Sequence, residues 1–297
     1  MTASTTRRFT MNAAGWVGVG VMALVSVIAV AAALWKLLAI GWIAFGAMAV
    51  GAWLGQRATP FERANGAAAA RRLAWAYGLS SGAMITSAAV FLVPDAINHH
   101  PAFGGFGIAA GILIGFALHV GQHQLAHLSL PFDRTALELT AHALAEGVVL
   151  GAVYATMPAL GLTLGLAIVS HKGPAGYAAA CRLRRSGRSA AGLLVPAAAV
   201  VVTAVPVGLL SIPGTPVVHA LVFGVATGIF LHVALDFLPQ CEIGGELMEV
   251  AGFSEGGEED EAFDEQHHLL DRLRLHAVAS TSIGGLLVFV AWWGVAG

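Results

Sequence analysis

Apolar residues in this chain run in blocks too long for a water-facing helix and too continuous for alternating strands. Nine such blocks, each bounded by charges or by Pro and Gly, fall at about 14–34, 37–55, 73–95, 103–121, 135–156, 158–180, 190–210, 216–238 and 275–296. Each is close to the ~20 residues that a helix needs to cross a bilayer. The blocks are rich in Ala, Gly, Val and Leu, and small residues let membrane helices approach closely. No long polar stretch interrupts the series. The expected fold is all-α: one polytopic transmembrane helix bundle. The sixth block carries Pro174 in mid-run, which a bundle tolerates where neighbouring helices re-satisfy the backbone.

Composition strengthens this reading. The chain has 297 residues, 57% hydrophobic and 11% charged, with a mean hydropathy of +0.78. A soluble domain carries about 25% charged residues, so a soluble enzyme, a nucleic-acid-binding domain and a disordered chain are excluded. The lipid bilayer is the expected partner, and nucleic acid is not. Cys181 and Cys241 are the two cysteines, too few for a disulfide framework or a thiolate cluster.

The charges give a direction. With the N-terminus in the cytoplasm and nine spans threaded, 13 of the 15 Lys and Arg fall on inner segments; Lys36 falls outside and Lys172 within a span. The positive-inside rule thus supports the span count, an outward C-terminus and a multi-pass place in the plasma (inner) membrane. The first block follows Arg7 and Arg8 and is read as a retained span. A cleaved signal segment is the alternative, and it leaves the remaining topology unchanged. Of 17 Asp and Glu, 11 lie in residues 240–275, an acidic cytoplasmic loop read as a solvated segment, with weak metal collection by its His267–His268 pair as the alternative.

Ionisable residues inside the bilayer are expensive and mark function by default. The fifth block carries Glu138, His142 and Glu146, spaced by four and so on one helix face. The sixth carries His171 and Lys172. His142 lies 14 residues before Thr156 and His171 lies 13 after Pro158, on either side of one tight turn. At ~1.5 Å rise per residue, both sit ~20 Å from that turn, near the midplane. Two imidazoles and a carboxylate at one level suit Zn²⁺ or another first-row divalent metal. A polar inter-helix network without metal is the alternative from spacing alone. Other polar positions are weaker. His232 and Asp236 are four apart at the end of the eighth block. His119, His123 and His127 share a face where the fourth block ends, either as a cation-handling strip or as an interfacial helix. His99 and His100 are read as a solvated outer loop, and His219 and His276 as satisfied core residues.

At the fifth and sixth blocks the sequence resembles the ZIP family of divalent-metal transporters. His142-Ala-Leu-Ala-Glu146-Gly147 is similar to that family's fourth-helix motif His-Asn-x-Pro-Glu/Asp-Gly. His171-Lys-Gly-Pro174-Ala-Gly176 is similar to its fifth-helix motif His-Asn/Glu-x-Pro-Glu/His-x. Gly82 to Asp95 resembles the second family helix, and Gly224 through Gly228 to Asp236-Phe-Leu-Pro239 resembles the seventh. The resemblance implies eight ZIP-like helices in a transporter domain at 37–297, preceded by a tail and an extra transmembrane helix at 1–36. It also implies a two-part bundle, often a homodimer, that moves a divalent cation by sliding or rocking one helix group past the other. His142, Glu146 and His171 are then the metal ligands, and Asp236 matches an acidic position near the cytoplasmic exit. Glu138, Lys172, His119, His123 and His232 are supporting or exit-path positions.

The departures from the family pattern carry information. The family often builds a two-metal site, but Ala143, Lys172 and Ala175 stand where three second-site ligands would be. An ammonium there repels a second divalent ion, so the site is expected to be mononuclear. Lys172 is too deep to snorkel and should pair with Glu146, or failing that with Glu138. The leading expectation is transport, most simply of Zn²⁺ into the cytoplasm, weakening below about pH 6 as protons compete for imidazole and carboxylate. The alternative is a ZIP-fold protein that binds or senses metal without transporting it. An intramembrane metal hydrolase is a remote third class, since nothing marks a lipid or peptide substrate; no enzyme activity is expected.

Overall fold

The computed structural model describes residues 11–57, 63–126, 134–158, 162, 165, 169, 171–185, 187–239, 246–251 and 260–296. The described residues form helices α1 (Ala13–Ala31), α2 (Trp35–Arg57), α3 (Arg63–Ser87), α4 (Val93–His99), α5 (Pro101–Ala126), α6 (Arg134–Thr156), α7 (Lys172–Arg185), α8 (Leu194–Gly208), α9 (Pro216–Asp236), α10 (Glu246–Ala251) and α11 (Asp260–Ala296), and no strand. Among the described residues, eight helical stretches are long and apolar enough to cross a membrane. The chain is thus an all-α, multi-pass membrane protein. The sixth expected block, 158–180, is described only in part, and its described C-terminal portion belongs to α7.

Three local features differ from the sequence expectation. The acidic segment 240–275, read as a loop, is helical at Glu246–Ala251 and from Asp260 onward, where α11 begins. Pro174 is not in mid-helix. The helix begins at Lys172, with His171 in the turn before it, so Pro174 occupies the first turn. There a missing N–H breaks no helical bond. The third block continues beyond its expected end at residue 95 to His99, by way of a π-helical turn at Ala88–Leu92 in which Val93 N–H donates to Ala88 O. The wider turn lies just before Pro94, whose ring would crowd the carbonyl of a regular α-turn.

The chain forms two compact units, 1–58 with 87–233 and 59–86 with 234–297. In the first unit, glycines bring helix backbones together. A Cβ on Gly18 would strike the Leu194 carbonyl, one on Gly51 the Gly173 carbonyl, and one on Gly147 the Val200 carbonyl. These contacts seat α1 on α8, α2 on α7 and α6 on α8. The first helix is therefore packed into this unit, with Met22 and Ala29 buried among Phe45, Met48, Leu194 and Val201. Gly187, at φ 74°, ends α7. Its N–H donates to Arg184 O while Arg188 N–H donates to Leu183 O, the paired bonds of a left-handed helix cap. Buried Gln56 then accepts from Ala190 N–H at 2.9 Å and anchors the link to α8.

Helices α5 and α9 meet along a four-residue repeat. Gly107 and Gly111 lie against Gly224, Val225 and Gly228, and Gly115 lies against the His232 ring. The next position on α5 is His119, whose ring centroid is 6.0 Å from that of His232. In the second unit, Gly78, Gly82 and Gly284 join α3 to α11. Ser280 Oγ donates to Ala74 O at 3.2 Å, and Trp75 Nε1–H donates to His276 Nδ1 at 3.1 Å.

Candidate metal centre

α6 has one face for packing and one for chemistry. Gly147 and Gly151 press on α8, and Thr203 Oγ1 of α8 donates to Leu144 O at 2.7 Å. These contacts fix the rotation of α6. The face carrying His142 and Glu146 then points at the start of α7. That start is held in turn by α2, where Gly55 and Met48 touch the backbone at Tyr177 and Gly176. Each ligand-bearing segment is therefore clamped by a different neighbour through backbone-to-backbone contact, which leaves little freedom to splay.

His142, Glu146 and His171 each offer one ligand atom, all within 4.8 Å of one another. The two imidazole centroids are 5.6 Å apart at an interplanar angle of 83°, and His171 Nε2 is 3.7 Å from Glu146 Oε2. A tetrahedral zinc with bonds near 2.0–2.1 Å sets its ligand atoms about 3.3 Å apart, so the triad needs at most about 1.5 Å of closure per pair to hold one ion. Glu146 and His171 are buried, at 6% and 1% exposure. Glu146 Oε1 has no hydrogen-bond partner among the described residues, so an acceptor oxygen stands ready for a cation. The cavity beside the three residues is about 20 Å³ and is closed on its α9 side by Ile229, Phe230 and Val233. A single water-sized occupant needs roughly 10–15 Å³ by this measure. The space admits about one water-sized occupant.

Lys172 completes the site. It is 1% exposed, among the largest fully buried side chains of the described residues, and its Nζ forms an ion pair with Glu146 Oε2. The favoured partner from sequence, Glu146, is thus the one observed. Ala143 and Ala175 are also buried.

The remaining candidates are placed as follows. His232 is half-buried on α9 and His119 is exposed on α5, edge-on to each other. Asp236 is the exposed last residue of α9 and belongs to the second unit. The side chains of Glu138 and His123, and all of His127, lie outside the described residues. His99 is not in a solvated loop, whereas His100 is the half-buried, non-helical link between α4 and α5. His99 closes α4, half-buried, stacked on Phe223 at 6.0 Å and edge-on to His219 at 5.0 Å. The neighbouring α9 supplies an aromatic surface that the sequence of the turn did not reveal. His276 accepts from Trp75, a partner 201 positions away that no local signal discloses.

Comparison of the sequence with known protein families and with curated proteins gives no match.

Proposed function

We propose that this protein carries a divalent metal ion, most simply Zn²⁺, across a membrane through a one-ion site of His142, Glu146 and His171, as a ZIP-type transporter. The observation that carries the reading is the convergence of two imidazoles and a carboxylate within 4.8 Å in the interior of an apolar helix bundle. Buried ionisable groups on facing membrane helices are costly and mark ion pathways. The ion would exchange its water for the three side chains and leave past His232 and His119, which continue the α5–α9 seam. The donor set fits Zn²⁺ and its first-row neighbours, and availability selects among them.

A second reading has its own observation, the Lys172–Glu146 ion pair. An ammonium 4 Å from a divalent ion is repelled by about 8 kcal/mol at an effective dielectric of 20. Lys172 must therefore leave the carboxylate when the ion arrives. In this reading the pair is structural, and the protein binds or senses metal, or assists a partner, without transporting it. Uptake of Zn²⁺, Mn²⁺, Fe²⁺, Co²⁺ and Ni²⁺ into dye-loaded proteoliposomes separates the two. Saturable uptake of at least one ion supports transport. Metal-dependent thermal stabilisation with no uptake of any ion supports the second reading.

A further inference from the structure

A second polar site lies in the other compact unit, independent of the metal centre. Between α3 and α11 there is a cavity of about 280 Å³ whose lining includes Arg71, Arg272 and His276. Arg71 comes from α3, while Arg272 and His276 lie four apart on one face of α11. Neither arginine pairs with a carboxylate among the described residues. The nearest acid in sequence, Asp271, is engaged by Arg274 at 3.3 Å. The rest of the wall is Ala67, Ala68, Leu269 and Leu273.

The third polar member has a defined proton position. Trp75 Nε1–H is only a donor, so His276 Nδ1 must be the acceptor of the 3.1 Å bond. A neutral His276 then carries its hydrogen on Nε2, which makes that atom a donor. The lining thus offers two guanidinium forks and one imidazole N–H, a donor set that suits the oxygens of a phosphate and repels a metal cation.

The surroundings say which phosphate. The cavity is at the arginine-rich end of two membrane-crossing helices, the end that the charge distribution assigns to the cytoplasm. From there α11 presents exposed apolar side chains on the face of Arg272 and His276, with Ile283 at 40%, Leu287 at 62% and Val290 at 59%. A soluble anion would use only the arginines. A lipid uses both, with its headgroup phosphate between Arg71 and Arg272 and its acyl chains along these side chains. We infer that the Arg71–Arg272–His276 cavity binds the headgroup of an anionic phospholipid. Basic pockets between transmembrane helices on the anionic leaflet are suited to this.

Native mass spectrometry of the full-length protein in detergent, titrated with phosphatidylglycerol or phosphatidylcholine, tests the inference. Phosphatidylglycerol should bind more tightly than phosphatidylcholine. Arg71→Gln with Arg272→Gln should weaken phosphatidylglycerol binding about tenfold or more, because each basic side chain beside an anionic headgroup raises affinity several-fold. Arg274→Gln should leave it unchanged. Ala68→Leu, which fills the cavity and keeps both charges, should also weaken it. Should the double variant fail to fold, a photoreactive phosphatidylglycerol on the wild-type protein gives the same test: its adducts should map to residues 67–71 and 269–276. Equal affinity for the two lipids, an unaffected double variant, or adducts mapping elsewhere would overturn the inference. Full displacement of the lipid by inorganic phosphate, with no preference for the lipid, would make the site one for a free anion and overturn the lipid assignment.

Discussion

Lys172 holds Glu146 by Oε2, the same carboxylate oxygen that faces His171 Nε2 across 3.7 Å. One oxygen therefore has two suitors, a tethered ammonium and any ion seated between the imidazoles. Replacing Lys172 by Met keeps a long unbranched chain and removes the competing charge. We expect Lys172→Met to raise Zn²⁺ affinity by an order of magnitude or more, measured by competition with a chelating dye on purified protein. Unchanged or weaker affinity would show that Lys172 does not compete with the metal.

The same pair makes a stability prediction. Deleting one partner of a buried ion pair strands the other and typically costs about 3–5 kcal/mol, whereas an apolar replacement of both can be neutral. Glu146→Leu alone should lower Tm sharply. Glu146→Leu with Lys172→Met should recover most of the loss. The double variant should show no thermal shift with Zn²⁺, because the carboxylate ligand is gone.

Helix approach sets the geometry of the centre, and the glycines do not all matter equally. A Cβ on Gly147 would run into the Val200 carbonyl and Thr203 Oγ1, whereas the nearest atom to one on Gly173 is Ala47 O at 3.7 Å. Gly147→Ala should therefore push α6 from α8, lower Tm at a cost of about 1–3 kcal/mol, and weaken metal binding. Gly173→Ala should leave both properties near wild type. The comparison needs only thermal unfolding and dye competition.

His232 tests the route rather than the site. It is on α9, with its ring beside Gly115 and 6.0 Å from that of His119. His232→Ala should slow uptake into proteoliposomes several-fold while leaving equilibrium Zn²⁺ affinity within about twofold. A parallel loss of affinity would place His232 in the primary site instead.

Much of the centre is legible in the sequence because an expected tight turn gives two apolar blocks a common reference point. Counting from Thr156 and Pro158 puts His142 and His171 at one depth, and a four-residue step places Glu146 beside them. The pairing of Lys172 follows from the cost of an unpaired buried charge. The place of Pro174 does not follow, because hydropathy is blind to where a helix starts inside an apolar run; the start at Lys172 depends on tertiary contacts with α2. The packing of His99 on Phe223, the Thr203–Leu144 bond and the Trp75–His276 bond join residues far apart in sequence with no shared period, so no local pattern announces them. The glycine strips sit between these cases. Their four-residue spacing along α5 and α9 is visible in the sequence, but which strip meets which is fixed only by the fold.

Radiometal uptake into proteoliposomes, compared between wild type, His142→Ala and His171→Ala at equal and correctly folded protein, tests most directly whether an ion crosses through this centre. We expect saturable ⁶⁵Zn²⁺ accumulation by the wild-type protein and background uptake by both variants. Accumulation by either variant at the wild-type rate would contradict passage through His142, Glu146 and His171.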